Sequence, residues 1–350
     1  MQETRPIITA IIPTYRRPQL LGRAIRSLLN QTYPHLKVIV CDNASKDETA
    51  EVVAEIMRHD SRVSYHCQTE NIGIVPNFNF GMSQVETPYF SILCDDDVVL
   101  PNFYADAISQ LECYPKAIMA GGVTAEINKE GKVSYPVAYY WEKERYVEPP
   151  YGFMQRVNEY FPTLTSIVFC REIINEIGLF DLTLPLTGDL DYALRLSSRF
   201  PYVMFPNLCG IFNSNNQSTS VANVPTIIFA EFPKIIEKVT EDKNIPPDIR
   251  KLGINALAKT YVGITLRAGL IFTARGEFEE ALKTANLLHQ FYKYHWKALG
   301  LRLVVRSSQF FKPLHQLVIL AYQFWKKRSS KSTATFDAQE YEKLAKYLEL

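Results

Sequence analysis

Asp95, Asp96 and Asp97 stand side by side directly after the apolar run 88–94, PYFSILC. That run reads as a buried strand, so three carboxylates fall at one strand end. Adjacent carboxylates repel one another and cannot disperse their charge there, so the position demands a positive partner. A divalent cation bridging protein carboxylates to phosphate oxygens is the simplest one; a solvated acidic turn is the plain alternative. Another carboxylate stands in the run TGDLDYALR, where Asp189 falls at the expected start of a helix and its charge is favoured. It is either an N-cap or a group able to accept a proton. Asp191, two residues on, faces elsewhere on a helix and is the weaker candidate.

The elements that must position these groups alternate in type. Residues 7–12 are a short apolar run closed by Pro13, and Leu20, Leu21, Ala24, Ile25, Leu28 and Leu29 then recur at helical spacing. Strands are expected at 36–41, 63–67, 89–93, 163–170 and 208–212, with a helix through Ala54 and Met57 and a short one over 76–84. Strand–helix alternation implies a parallel α/β sheet with ligands at the carboxyl ends of its strands. The informative polar residues all fall at those ends: Thr14, Tyr15 and Arg16; Asp42; Glu70 to Gly73; and the acidic triplet. No GxGxxG follows the first strand and no GxxxxGK[ST] occurs, which disfavours a dinucleotide fold and excludes P-loop phosphoryl transfer.

Four stretches, taken in order, resemble the family 2 glycosyltransferases, inverting enzymes with a GT-A fold. They are IIPTYRRPQLLGRAIRSLLNQTYPHLKVIVCDNASKDET, ENIGIVPNFNFGMS, LCDDDVVLPNF, and IGLFD followed by TGDLDYALRL, within residues 7–200. The resemblance implies that Pro13, Thr14, Tyr15 and Arg16 line a nucleotide pocket. Asp42 would hydrogen-bond the base, with Asn71 and Gly73 near base and ribose. Asp95 would contact the ribose, and Asp96, supported by Asp97, the metal-bridged diphosphate. Asp189, six residues before Arg195, falls where the family keeps its catalytic base. A nucleotide diphosphate gathers negative charge as it leaves, and Mg2+ or Mn2+ would neutralise it. Inversion requires one in-line displacement, with a carboxylate taking the acceptor's proton.

The implied reaction moves a single sugar from a nucleotide-diphosphate donor to a hydroxyl of a glycan or lipid-linked glycan. Asp42 favours UDP- or dTDP-sugars, whose bases share an imide N–H. The chain departs from the family pattern at Phe78, Cys94, Gly188 and Asn215. From those departures comes a reading of another class: a non-catalytic nucleotide-sugar-binding scaffold in a glycan-assembly complex.

Composition sets the surroundings. With 47% hydrophobic and 21% charged residues, the 350-residue chain can build one sizeable core and an appended module. Its six cysteines are scattered with no CxxC pair, as expected of reduced thiols in the cytosol, and the start MQETRPIITAIIPTY lacks a signal-peptide pattern. The net charge of +1 hides a segregation: residues 281–336 hold ten Lys/Arg and no acid, while residues 1–280 hold 26 Lys/Arg against 33 Asp/Glu. The expected organisation is a GT-A catalytic domain over 1–222, a helical module over 223–328 and a polar tail over 329–350. In the module, residues 313–328 read as a basic amphipathic helix too short to span a bilayer, which suits an anionic membrane surface. A peripheral place on the inner membrane face follows, and nucleic acid is not expected as a partner. Residues 134–162 are rich in aromatics with little period; Tyr139, Tyr140 and Trp141 are the acceptor-side candidates, the alternative being an insert packed over the sheet.

Overall fold

A computed structural model describes residues 7–128, 133–136, 141–214, 224–290, 294–329, 344, 346 and 347. The chain divides into two units, residues 1–216 with 336–350, and residues 217–335.

The first unit is organised about β1 (Ile8–Thr14), a largely apolar strand with every residue buried. Such a strand must be covered on both faces and paired on both edges. Strand β2 (Leu36–Asp42) and strand β4 (Tyr89–Ile92) pair with it in parallel, and β3 (Val63–Cys67) extends β2. The register sets Thr14 opposite Asp42, and Asp42 opposite Cys67, so the carboxyl ends of β1, β2 and β3 finish level. Helix α1 (Pro18–Leu29) starts on a proline, which is pre-set for a first helical turn, and buries Leu21, Ala24, Ile25 and Leu28. Helices α2 (Thr49–His59) and α3 (Ile74–Ser83) complete the alternation. Close contact of α3 with the sheet requires Gly81, since a Cβ there would collide with Ile11.

Beyond β4 the sheet becomes mixed, as the GT-A resemblance implies. The full order is β3-β2-β1-β4-β9-β6-β10-β5, with β9 (Ile167–Cys170) antiparallel to β4 and to β6 (Met119–Asn128). Strand β10 (Tyr202–Ser214) runs parallel to β6, and β5 (Val98–Val99) returns antiparallel against β10. Strands β7 (Val133–Ser134) and β8 (Arg145–Val147) border β6 and β10. Helix α4 (Phe103–Cys113) packs on β6 and β10, and α5 (Tyr151–Asn158) packs on α7 (Gly188–Arg199), which follows the short α6 (Glu172–Ile177). The stretch expected as irregular, 134–162, therefore holds β8 and α5. The expected polar tail also differs in part: Leu344 is buried with Val98, Ala125, Ile127 and Ile211, and Tyr347 packs beside them.

The second unit is helical throughout its described residues: α8 (Val224–Glu241), α9 (Pro247–Ala274), α10 (Phe278–Gln290), α11 (His295–Phe310) and α12 (Lys312–Ser329). Phe232 of α8 stacks on Tyr261 of α9 with centroids 3.8 Å apart. Among the described residues, no helix is long and apolar enough to cross a membrane.

Candidate active site

Strands β1 and β4 bring the acidic triplet its first partner. Ile11 pairs with Ile92, so three residues further along Thr14 and Asp95 come level, and the Thr14 hydroxyl donates to Asp95 Oδ2 at 2.7 Å. All three carboxylates are buried, Asp97 the deepest at 1% exposure. The positive partner that the sequence demands is, in part, the chain's own. Arg17 Nη1 donates to Asp95 Oδ1 at 3.0 Å and to Asp96 Oδ2 at 3.2 Å. Arg23, on the buried face of α1, donates to the Asp96 carbonyl at 2.6 Å.

Asp97 braces three elements. It accepts from the Thr165 hydroxyl at 2.5 Å, just before β9, and from the Asn213 backbone N–H of β10 at 3.1 Å. Burial, with Asp96 adding to it, pushes its carboxyl up to about 7. Burial also raises Asp95, against the pull of Arg17 and Thr14.

The donor chemistry suits a hard divalent cation. One ligand atom from each of Cys94, Asp96 and Asp97 lies within 4.8 Å of the others. Burial and the surrounding carboxylates hold the Cys94 thiol well above its ordinary value, so it stays protonated and is a poor ligand. The carboxylate oxygens are the donors that Mg2+ and Mn2+ prefer. Both Asp97 oxygens already accept hydrogen bonds, which leaves Asp96 the better placed to reach an ion, with Asp97 behind it.

The loops after β1 and β2 form the neighbouring wall. Pro13 and Thr14 are buried, while Tyr15 and Arg16 are exposed at the rim, the Arg16 guanidinium 5.0 Å from the Tyr15 ring centroid. Asp42 is fixed from within: the Ser45 N–H and hydroxyl donate to Oδ1 at 3.0 and 2.5 Å, and the Tyr65 hydroxyl donates to Oδ2 at 2.6 Å. Asn43 ties the Asn71–Gly73 loop to this wall. Its Nδ2 donates to Asn71 Oδ1 at 3.0 Å and its Oδ1 accepts from the Ile72 N–H at 2.8 Å. Gly73 sits at φ +93°, a conformation that disfavours any side chain. Arg16, Ala44 and Lys46 take positive φ as well, all in the loops after β1 and β2. Such backbone strain collects at binding sites, where the surroundings enforce it.

Asp189 opens α7, its Oδ1 accepting from the Leu190 N–H at 2.8 Å. It is solvent-accessible within a cleft of about 130 Å³ lined by Arg156, Phe161, Leu164, Phe169 and Tyr192. The cleft walls withhold enough water to raise its carboxyl above the ordinary value, and the Arg156 charge opposes that rise. Asp189 lies close enough to Cys94 for its charge to bear on that thiol. Asp191, by contrast, is buried against Arg195 Nε at 2.8 Å. Arg195 in turn holds the Ile177 and Leu179 carbonyls, so this ion pair ties α7 to the end of α6. Trp141 is half-buried, with the Arg145 guanidinium 3.8 Å over its ring and Tyr160 at its edge. Tyr139, Tyr140 and Asn215 lie outside the described residues.

Residues 9–178 match the model of Glycosyl transferase family 2. The match covers just under half of the chain. An uncharacterized glycosyltransferase of Rickettsia bellii is 26% identical over 294 residues, covering 80% of this chain and 39% of that protein. The Campylobacter jejuni GalNAc(5)-diNAcBac-PP-undecaprenol beta-1,3-glucosyltransferase is 36% identical over 96 residues, 27% of this chain and 31% of that one. The chain thus spans well under half the length of these relatives. Among solved structures, S. aureus TarS 1–349 in complex with UDP-GlcNAc is similar at a TM-score of 0.66 and 14% identity, covering 91% of each chain. The mannosyltransferase PcManGT of Pyrobaculum calidifontis, in complex with GDP-Man and Mn2+, is similar at 0.54 and 16% identity, covering 93% of this chain and 89% of that one. At these identities the likeness concerns the fold, which is GT-A.

Within the glycosyltransferase domain, the sequence reading missed Arg17, Arg23, Asn43, Tyr65, Arg156 and Thr165. Arg17 and Asn43 directly follow residues it did single out, Arg16 and Asp42. Arg156 and Thr165 reach the site through tertiary packing alone, and no local pattern marks them.

Proposed function

We propose that this domain moves a single sugar, with inversion, from a nucleotide-diphosphate donor to a hydroxyl of a glycan or lipid-linked glycan, in surface polysaccharide or glycoconjugate assembly. The observation that carries the reading is a pair of unlike carboxylate sites: Asp95 and Asp96, buried and paired with Arg17 after β4, and Asp189, accessible in its cleft and close enough for its charge to reach neighbouring Cys94. The wall of Pro13, Thr14, Tyr15 and Arg16, with Asp42, Asn71 and Gly73, would take the nucleoside, and Asp95 the ribose. Asp42 holds Tyr65 and Ser45 in place there, and UDP- or dTDP-sugars suit it best. Asp96, backed by Asp97, would hold Mg2+ or Mn2+. When bound, that ion supplies neutralisation of the departing diphosphate. Asp189 would take the proton from the acceptor hydroxyl, a task that its raised carboxyl basicity favours. Tyr139, Tyr140 and Trp141 are the acceptor-side candidates, Trp141 with Arg145 over one ring face, and the cleft at Asp189 would admit the acceptor hydroxyl. Donors named in the TarS and PcManGT complexes, and the lipid-linked acceptor in the name of the Campylobacter relative, support the reagent classes. A peripheral place on the inner membrane face belongs to the same reading.

A thermal-shift panel of UDP, dTDP, GDP and CMP with and without Mn2+ tests the proposal. A ligand that binds only the native state raises the melting temperature by mass action. Metal-dependent stabilisation by one diphosphate is expected; no shift with any of the four would overturn the donor site.

A further inference from the structure

The last two helices of the second unit each carry two apolar faces, and only one of the two is used. Ala298, Leu301, Val305 and Ser308 of α11 are buried, recurring at three- and four-residue spacing. Trp296, Leu299, Leu303 and Phe310 recur at the same spacing on the opposite side, all exposed, Trp296 and Phe310 each at 85%. Helix α12 repeats the arrangement. Leu317, Leu320 and Phe324 form one exposed stripe, while Leu314, Val318 and Ile319 between them are half-buried. Phe311, at the turn joining the helices, is 60% exposed. Scattered exposed apolar residues need no explanation, but a stripe on each of two successive helices, with aromatics at its ends, marks an interaction surface.

The charges beside the stripes select the partner. Lys297, Arg306 and Lys312 are exposed, and Arg302 is half-buried with its guanidinium on the Asn286 amide at 2.7 Å. Residues 281–336 contain no Asp or Glu, so Lys297, Arg306 and Lys312 have no acid on their own helices to balance them. A second copy docked through the same face would set cation against cation, and a basic partner would be repelled. An acidic protein would meet the charges without needing the exposed aromatic rings. We propose that α11 and α12 together form a docking face for an anionic phospholipid surface. Lysine and arginine meet headgroup phosphates there, while Trp296, Phe310, Phe311 and Phe324 enter the headgroup–acyl boundary. The sequence placed this contact in residues 313–328 alone. The exposed stripe extends it to α11, where Trp296 and Phe310 are its most exposed anchors. The inference rests on the peripheral location in the proposed function and not on the transfer chemistry.

Co-sedimentation of the full chain with phosphatidylglycerol/phosphatidylcholine vesicles, and with phosphatidylcholine vesicles alone, tests it. The wild type is expected to pellet with the anionic vesicles and to lose most of that binding in high salt. The double variant Trp296→Ser/Phe310→Ser should partition at least tenfold less. Arg306→Glu/Lys312→Glu should lose the preference for the anionic vesicles. Both variants alter exposed side chains, and an unchanged thermal shift with nucleotide and Mn2+ verifies that the first unit is intact. That control separates failure of the membrane face from failure of the donor site. Pelleting of Trp296→Ser/Phe310→Ser equal to wild type would overturn the proposal. So would a wild-type chain that ignores anionic vesicles, or one that sediments as a dimer which the double variant makes monomeric.

Discussion

Arg17 is the resident counter-cation of the acidic triplet, and its removal should make the fold depend on a divalent ion. One guanidinium nitrogen serves Asp95 at 3.0 Å and Asp96 at 3.2 Å, with the carboxylates only 7% exposed and Arg17 17% exposed. Removing one member of a buried ion pair costs about 3–5 kcal/mol, because the remaining charge is left uncompensated. Arg23 stays close to the triplet in the variant, so the low end applies, about 3 kcal/mol. For a unit of this size each kcal/mol moves the midpoint by about 2–4 °C, so Arg17→Ala should melt about 6–12 °C below wild type in EDTA. A divalent ion at a hundred times its dissociation constant returns about 2.7 kcal/mol. In wild type that ion competes with Arg17 for the same oxygens; in the variant it does not. Differential scanning fluorimetry of both proteins, in EDTA and in a Mn2+ series, therefore has a signed outcome. The Mn2+-induced rise should be larger, and should half-saturate at lower Mn2+, in Arg17→Ala. A variant that melts within about 2 °C of wild type in EDTA would refute the reasoning. A larger Mn2+ response in wild type would refute it too.

Other expectations concern protons and packing. Asp97 keeps its proton up to about pH 7 in the fold, against 3.8 as its ordinary value, so the folded state binds the extra proton between these limits. Stability without divalent ions should therefore fall as pH rises through that window and level off above it, by up to about 4 kcal/mol. Asp97→Asn should flatten the slope of melting temperature against pH measured in EDTA, and an unchanged slope would assign it to other groups. If Asp189 is the base, kcat/KM should decline in acid with a midpoint above the ordinary carboxylate range, because the cleft raises its carboxyl. Arg156→Ala removes the opposing charge and should move that midpoint higher still; movement to lower pH would contradict the assignment. Thr165→Val leaves a buried Asp97 oxygen without its donor and should cost about 1–3 kcal/mol, read from urea denaturation.

The parallel half of the fold was legible because β1 and β2 are largely apolar runs and α1 keeps a 3.6-residue period. The mixed half was legible only in part, through the strand runs at 163–170 and 208–212. Strand β6 carries Gly121 and Gly122, which weaken a strand signal yet are required here, since a Cβ at either would meet Pro162 or Cys209. Strand β10 begins at Tyr202, six residues before the stretch the sequence marked; Pro206 and a register irregularity between Met204 and Leu208 interrupt its pattern. In the site, the carboxylates themselves stood out because like charges at a strand end are unusual. Their counter-cations did not, since arginines on α1 look like ordinary helix surface until the fold turns Arg23 inward. The choice between Asp189 and Asp191 was physical in the same way: i,i+4 spacing lets Arg195 pair with Asp191, and the pair is buried.

The account rests on Asp189 acting on a hydroxyl while the rest of the site holds a nucleotide-diphosphate sugar. The most direct measurement is nucleotide-diphosphate release from UDP-, dTDP- and GDP-sugars with Mn2+ and a glycan or lipid-linked acceptor, comparing wild type with Asp189→Asn. Wild type should release one diphosphate in an acceptor-stimulated manner. Asp189→Asn should bind the same donor with unchanged affinity and lose the stimulated release by about 10²–10⁴-fold. Full turnover by Asp189→Asn, or donor binding by wild type with no release under any acceptor, would contradict the account.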